Sequence, residues 1–387
     1  MNYFMIDNFV FGGAERQASY LINNNIGFDK IILIEDERKY ELNTKKPIIT
    51  LNPRILKIFQ RPLGDSKSRK KLEKVFTSSD TVLSFLERSN IMNIKTSLKT
   101  KHKAIISVRN YLSKRYSNLK YFYRMTQIKK YYPLAELIIT NSQESKNDLV
   151  NYFGVPKEKI KVIYNLIDLD AVEILKEQEI EKEYKNLFNK PVILNIGSLT
   201  PQKSQNQLIE VFKLVKEHYP EYKLVVIGTG KLKRKLLKTI KKLSLENEVY
   251  LLGNVKNPFK YLNRSEIFIL NSDFEGFPNV LLEALAVGIP VISKNCLSGP
   301  SEMLEIFDYN NRNILLTKYG YLFPKNYNRK LKNYEDEKVH LFKCISSLIE
   351  MKKKDEENFK RIKLQCRRRA QDFSLKKIIE QWSKLIN

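Results

Sequence analysis

Residues 275–283 read Glu275-Gly276-Phe277-Pro278-Asn279-Val280-Leu281-Leu282-Glu283, two carboxylates with seven residues between them. An apolar run, Ile267–Leu270, precedes them and predicts a buried strand. Pro278 suits the start of a helix, where its missing N–H costs nothing. From Val280 the pattern V-L-L-E-A-L-A-V is helical, and Gly288 followed by Pro290 stops it. The stretch therefore reads as strand, acidic glycine-containing loop, helix. In an open α/β sheet the carboxyl ends of strands are where ligands bind. Two acids held there can accept hydrogen bonds from ligand hydroxyls, and neither needs a metal to do so. A bare acid pair at this spacing is common, and acids near helix starts suit the helix dipole. The residues around the pair have to decide.

Working outward, strands are expected at residues 192–196, 223–227, 249–251 and 290–293, alternating with helices at 205–219, 231–243, 258–263 and 280–287. The first half alternates in the same way. Strands are expected at 3–6, 30–34, 47–51, 81–85, 104–108, 137–140 and 160–164, with helices from Ala14 and at 67–76, 119–131 and 143–153. Asn141-Ser142 caps the last of these. Such alternation implies parallel sheets. Residues 173–190 are dense in Glu and Lys without an evident buried face, and read as an interdomain segment. Residues 335–387 read as helical throughout.

At 387 residues, roughly two domains are expected. A hydrophobic content of 42% excludes wholesale disorder. The cysteines (Cys296, Cys344, Cys366) and histidines (His102, His218, His340) are scattered, which fits a reducing compartment and offers no zinc-ligand spacing. Residues 1–7 lack the basic and apolar segments of a signal peptide, and no apolar run is long enough to span a bilayer. A soluble or peripheral cytoplasmic protein is expected. The formal charge of +26 favours an anionic partner: nucleic acid, anionic lipid or a phosphorylated substrate. The densest basic run, residues 231–242, reads either as a solvated helix face or as a membrane-facing one. Basic residues are not interleaved with aromatics as in nucleic-acid-binding modules, so no nucleic acid partner is expected.

Five loops should lie at strand carboxyl ends in the second half. In residues 195–203, Gly197 allows close backbone approach and Lys203 can meet phosphate oxygens. The others are Gly228-Thr229-Gly230, Gly253-Asn254-Val255, the Glu275 loop and residues 298–302. Together they make a nucleoside-diphosphate site plausible.

The series G-S-L-T-P-Q-K, V-I-G-T-G, G-N-V, N-S-D-F-E-G-F-P-N-V-L-L-E-A-L-A-V-G-I-P-V-I-S and S-G-P-S-E strongly resembles the donor-binding domain of retaining GT-B glycosyltransferases of family 4. F-G-G-A-E-R near the N-terminus resembles that family's glycine loop, and residues 138–149 and 159–168 resemble the end of its first domain. The resemblance implies an α/β GT-B fold, two Rossmann-like doubly wound domains facing a cleft, with a helical C-terminal tail. It assigns residues 1–175 to an acceptor-side domain and 190–365 to a nucleotide-sugar-binding domain. Residues 366–387 would form a helix able to pack back on the first domain.

By the same resemblance, Glu275 and Lys203 are the catalytic candidates. Glu275 would face the donor sugar, surrounded by Gly276, Phe277, Pro278 and Asn279, and Lys203 would neutralise the diphosphate as the leaving group departs. Glu283 would hold the ribose hydroxyls. Gly12 and Gly13 would bring backbone against the diphosphate or the acceptor. Retention in this family is described as same-face attack assisted by the donor phosphate, so no protein nucleophile is expected, and no cofactor or metal. Two positions depart from the family pattern. Ser198 stands where an arginine is usual, leaving Lys203 without its cationic partner. Ser107-Val108-Arg109-Asn110 stands where a histidine is frequent, which makes Arg109 a candidate donor or acceptor contact. The pair Asp168 and Asp170 is not expected to bind metal, because it lies at the end of the first domain.

The expected activity is transfer of a hexose or N-acetylhexosamine from a nucleotide-diphosphate sugar, UDP-linked by preference, to a glycan or polyprenyl-linked oligosaccharide in bacterial surface polysaccharide synthesis. An anionic inner-membrane surface is an expected partner. The alternatives are a catalytically silent sugar-nucleotide binder and a basic nucleic-acid-associated protein.

Overall fold

The computed structural model describes residues 1–10, 12–40, 42–52, 61–116, 121–306, 313–325 and 334–386. The apolar runs of the first half form seven strands: β1 (Asn2–Ile6), β2 (Lys30–Glu35), β3 (Ile48–Asn52), β4 (Thr81–Phe85), β5 (Lys103–Val108), β6 (Leu137–Thr140) and β7 (Ile160–Val162). All pair in parallel, in the order β3-β2-β1-β4-β5-β6-β7. Side-chain alternation divides each strand between two cores. Phe4 and Ile6 join Leu21, Phe85 and Ile105 on one face, while Tyr3 and Met5 join Ile32, Leu72 and Val82 on the other. The helices are α1 (Gly13–Asn23), α2 (Arg61–Leu72), α3 (Glu87–Thr100), α4 (Leu112–Arg115), α5 (Phe122–Tyr131) and α6 (Gln143–Phe153).

The second sheet contains β8 (Val192–Ile196), β9 (Lys223–Ile227), β10 (Val249–Gly253), β11 (Ile267–Leu270), β12 (Val291–Asn295), β13 (Leu315–Thr317) and β14 (Gly320–Pro324). Its order is β10-β9-β8-β11-β12-β14-β13, parallel except for the β13–β14 hairpin. The helices around it are α7 (Leu169–Lys176), α8 (Gln205–His218), α9 (Lys233–Lys242), α10 (Phe259–Asn263), α11 (Asn279–Val287), α12 (Gly299–Met303), α13 (Tyr334–Lys354) and α14 (Glu356–Ala370). A last helix, α15 (Leu375–Ile386), adds Ile378, Trp382 and Ile386 to the core of the first sheet. The chain divides into two units, Met1–Leu166 with Leu375–Asn387, and Ile167–Ser374. In each sheet the strand order reverses beside its first strand, at β1/β4 and at β8/β11. Those reversals open the crevices where doubly wound sheets take ligands.

Several elements differ from the sequence reading. Residues 173–190 are not a free linker: they belong to the second unit, with Ile180 and Leu187 buried. Asn257 Nδ2 donates to Leu175 O at 2.7 Å and Lys260 pairs with Glu181 at 2.8 Å. Two buried apolar residues in a charged segment were too sparse to show as a face. Helix α3 was not expected, because Ser89, Asn90, Asn93 and Thr96 interrupt its apolar side. They are buried nonetheless: Asn93 Nδ2 donates to Val82 O at 2.9 Å and Asn90 Nδ2 to Ser107 O at 2.9 Å, tying the helix to strand carbonyls. The helix expected at 67–76 runs Arg61–Leu72, and Phe76 is a buried residue beyond its end. Of the helix expected at 119–131, residues 119 and 120 lie outside the described residues, as does Phe11 of the glycine loop. The tail is three helices, interrupted at Asp355, whose side chain accepts from Asn358 N at 3.0 Å, and by a turn at Gln371–Phe373. Asp168 is the N-cap of α7, accepting from Ala171 N at 3.0 Å, which accounts for the first acid of the Asp-x-Asp pair. No helix among the described residues is long and apolar enough to cross a membrane.

Candidate active site

Because β8 to β12 are parallel, the five glycine-containing loops emerge on one edge of the second sheet. Three of them are locked together by backbone. Gly197 N donates to Ile227 O at 2.9 Å, Leu199 N to Thr229 O at 2.8 Å, and Gly228 N to Gly253 O at 2.7 Å. Gly228 has φ +141°, and a Cβ there would sit 2.1 Å from Gly197 O. Only glycine meets both demands.

The loop after β8 then crosses to the loop after β11. Asp273 N donates to Gln202 O at 2.7 Å, and Gln202 Nε2 to Phe274 O at 2.7 Å. Lys203 and Glu275, read from the sequence as separate catalytic candidates, meet directly: Nζ lies 2.5 Å from Oε1, with the side chains 16% and 10% exposed. The lysine stem runs over Gly197, within 3.3 Å of where a Cβ would stand. Glu275 is fixed through its backbone, donating to Leu297 O at 2.8 Å and accepting from Ser298 N at 3.1 Å. Ser298 Oγ donates to Gly276 O at 2.7 Å, and Gly299 packs so closely that a Cβ would lie 2.6 Å from that carbonyl. Gly276, Phe277 and Pro278 are buried, with the Phe277 ring 5.2 Å from that of Phe373, and Asn279 opens α11 half-buried. Glu283 follows on the same helix, 2% exposed. The loop is therefore rigid around both acids, and one of them already holds a cation.

Two further lysines stand close by, and the sequence reading did not name them. Lys294, at the end of β12 and 1% exposed, pairs with Glu337 at 3.0 Å and Asp273 at 3.3 Å and donates to Gln207 Oε1 at 3.2 Å. Lys325, just after β14, donates to Asp273 O. Burial holds its ammonium below the ordinary lysine range. Glu275, Lys325, Lys294 and Asp273 all act electrostatically on buried Cys296, whose thiol is pushed up to about 12, chiefly by desolvation. The available signal was a lysine immediately after a buried run at a carboxyl end: V-I-S-K for Lys294 and L-F-P-K for Lys325. Ser198 is exposed, and its carbonyl accepts from Gln205 Nε2 at 3.1 Å.

Gly12, Gly13 and Arg109 belong to the first unit. Gly12 is the N-cap of α1, and its carbonyl accepts from Tyr40 Oη at 3.2 Å. The Glu15 carboxylate folds over it, so that a Cβ on Gly12 would fall 2.2 Å from Glu15 Oε2. Burial, then Asp7, raise the Glu15 carboxyl above its usual range. Asp7, at the end of β1, accepts from Ser89 Oγ at 2.5 Å and Ser89 N at 3.0 Å, and burial pushes it up to about 6. Arg109, one residue beyond β5, is 8% exposed rather than a surface group, and its Nη2 donates to Asn165 Oδ1 at 2.5 Å.

Two doubly wound units, the second with an acid–lysine pair and a second acid around its switch point, define a protein of the GT-B class. The solved structure of Anabaena HepE with UDP and glucose superposes with a TM-score of 0.75 at 18% identity, covering 100% of this chain and 99% of that one. Sucrose-phosphate synthase of Thermosynechococcus elongatus gives 0.76 at 14% identity, covering 99% and 98%. Family models described as "Glycosyl transferases group 1" and "Glycosyltransferase Family 4" match residues 176–336 and 93–171. A glycosyltransferase of Methanocaldococcus jannaschii is 34% identical over 377 residues, 94% of this chain and 89% of its own length. The N-acetylgalactosamine-N,N'-diacetylbacillosaminyl-diphospho-undecaprenol 4-alpha-N-acetylgalactosaminyltransferase of Campylobacter jejuni is 33% identical over 76% of this chain and 80% of its own. The chain belongs to the family-4-like glycosyltransferases of the GT-B fold.

Proposed function

We propose that this glycosyltransferase is a retaining enzyme that moves a hexose or N-acetylhexosamine from a UDP-sugar to a glycan or polyprenyl-linked oligosaccharide in the synthesis of a bacterial surface polysaccharide. The observation that carries the reading is the contact of Lys203 with Glu275 at the carboxyl edge of the second sheet, one α-helical turn and a loop away from buried Glu283 on α11. In the proposed cycle Glu283 accepts hydrogen bonds from the ribose and Glu275 from the sugar hydroxyls. Lys203 exchanges its carboxylate partner for the diphosphate and stabilises the charge that grows as the glycosidic bond to phosphate breaks. The acceptor hydroxyl attacks from the face the phosphate leaves and passes its proton to a phosphate oxygen, so no protein nucleophile and no metal is required.

A UDP-bound neighbour of the same fold supports the choice of nucleotide. The Campylobacter relative, whose name specifies an undecaprenyl-diphosphate-linked acceptor, supports a lipid-linked glycan and hence work at the inner face of the plasma membrane. The basic side of α9 fits an anionic surface there: Leu236 and Ile240 are buried, while its lysines are exposed.

A panel of UDP- and GDP-sugars, read first by thermal stabilisation and then by nucleotide release with and without acceptor, tests the reading. Stabilisation and release by a UDP-sugar are expected, with the anomeric configuration of the product matching the donor. A panel in which no UDP-sugar stabilises the chain would contradict it. Stabilisation without turnover would favour a silent sugar-nucleotide binder, the reading that exposed Ser198 supports.

A further inference from the structure

Two arginines are buried near the carboxyl edge of the first sheet, and they are treated differently. Arg88 is 7% exposed and is neutralised by Glu35 at 2.5 Å and Asp65 at 2.6 Å. Arg109 is 8% exposed and has no ion pair with any described residue. One amino group donates to the neutral amide of Asn165, while Nε and Nη1 find no acceptor among the described residues. The guanidinium lies over the Phe85 ring, 5.3 Å from its centre. Asn141 Nδ2 donates to the Arg109 carbonyl at 3.3 Å and fixes its backbone. Burial lowers the group to about 9, so it is still charged at neutral pH. A buried cation with unused donors is costly unless something anionic meets it. The planar fork of arginine matches phosphate and carboxylate oxygens in pairs.

We propose that Arg109 is an oxyanion-binding residue of the first unit, taking a phosphoryl or carboxylate group of the acceptor. The inference rests on the proposed function and on the acceptor side that the family resemblance gives to residues 1–175. The two sources of oxyanion are the diphosphate of a lipid carrier and the carboxylate of an acidic sugar.

The fold provides a reporter. The single tryptophan, Trp382, lies 5.8 Å from the Phe85 ring that carries the guanidinium. Full-length wild-type, Arg109→Met and Arg109→Lys proteins are titrated with farnesyl diphosphate, inorganic pyrophosphate, glucuronate and UDP, following tryptophan fluorescence and thermal denaturation. The expected result is that Met weakens binding of the diphosphates, or of glucuronate, at least tenfold, and Lys less so. The unliganded melting temperature of the Met variant should equal or exceed that of wild type, because an uncompensated charge has been removed. UDP affinity should stay within twofold. Dependence on the diphosphates assigns the carrier, and dependence on glucuronate assigns an acidic sugar. A Met variant that melts several degrees lower with unchanged anion affinity would make Arg109 a structural residue and overturn the proposal. So would weakening confined to UDP, or a wild type that answers to none of the anions. If the donor panel fails in wild type, the parent reading falls whatever Arg109 does; if it succeeds and these titrations fail, only this inference falls.

Discussion

The carboxyl edges of the two sheets differ in how completely their buried charges are matched. In the second unit two buried lysines at the edge are matched: Lys203 by Glu275, and Lys294 by both Asp273 and Glu337. In the first, Arg88 is matched by Glu35 and Asp65, but Arg109 is buried with no counter-ion among the described residues, and Asp7 is held against hydroxyl and backbone donors of Ser89 with its carboxyl pushed up to about 6. A matched edge is a site whose partners are exchanged when a charged ligand arrives, so binding there costs little uncompensated desolvation. An edge with unmatched charge is stabilised by the ligand itself. In the proposed function that difference suits a common donor on the second unit and a specific acceptor on the first.

The largest expected effect tests the matched edge. Glu275→Ala should lower transfer by ~10²-fold or more, the scale lost when a substrate is held out of position. Nucleotide release measures it, and unchanged turnover would remove Glu275 from the site. Thermal denaturation separates this from unfolding, since Lys203 loses its partner in the same variant.

Next comes the scaffold of that edge. Gly228→Ala places a methyl group 2.1 Å from Gly197 O at φ +141°. The clash and the strained backbone should together cost ~3 kcal/mol. Urea denaturation reads the loss directly. A neutral result would show that the loops after β8 and β9 are not locked.

The smaller effect lies on the unmatched edge. An acid whose folded pKa is raised is protonated more readily folded than unfolded. Its contribution to stability is complete below about 3.8 and is lost as pH rises through about 6. Asp7→Asn abolishes the ionisation while keeping an oxygen for Ser89. The variant should therefore gain on wild type between pH 4 and pH 7, by on the order of 2 kcal/mol after discounting the solvent that reaches the carboxylate. Paired urea titrations across that range check the sign, and a variant whose advantage over wild type grew as pH fell would contradict it.

How much of this could be read beforehand also divides between the units. In the second sheet β8 to β12 were legible because they are nearly pure apolar runs and their loops carry glycines with a physical task, as at Gly228, whereas the short strands β13 and β14 were not read. Glu275 and Lys203 could be named from their motifs, but their contact could not, because 72 residues separate them in sequence. Lys294 and Lys325 were hidden for the same reason: a lysine after a strand reads as a surface group until the strand is placed in the sheet. In the first unit all seven strands were read, but α3 was missed because its buried face carries Asn90 and Asn93, which satisfy strand carbonyls, and Ser89, which donates to Asp7, a pattern that reads as exposed in one dimension. Arg109 was visible as a candidate, yet its burial depends on Phe85 and Asn165, which come from distant parts of the chain.

The central claim is that the acidic loop and helix of the second unit hold a nucleoside diphosphate through its ribose. Calorimetric titration of UDP into wild-type and Glu283→Gln protein tests it most directly. Loss of the charged acceptor should raise the dissociation constant about tenfold, equivalent to ~1.4 kcal/mol, with the fold intact by circular dichroism. Equal affinity in the two proteins would contradict the assignment.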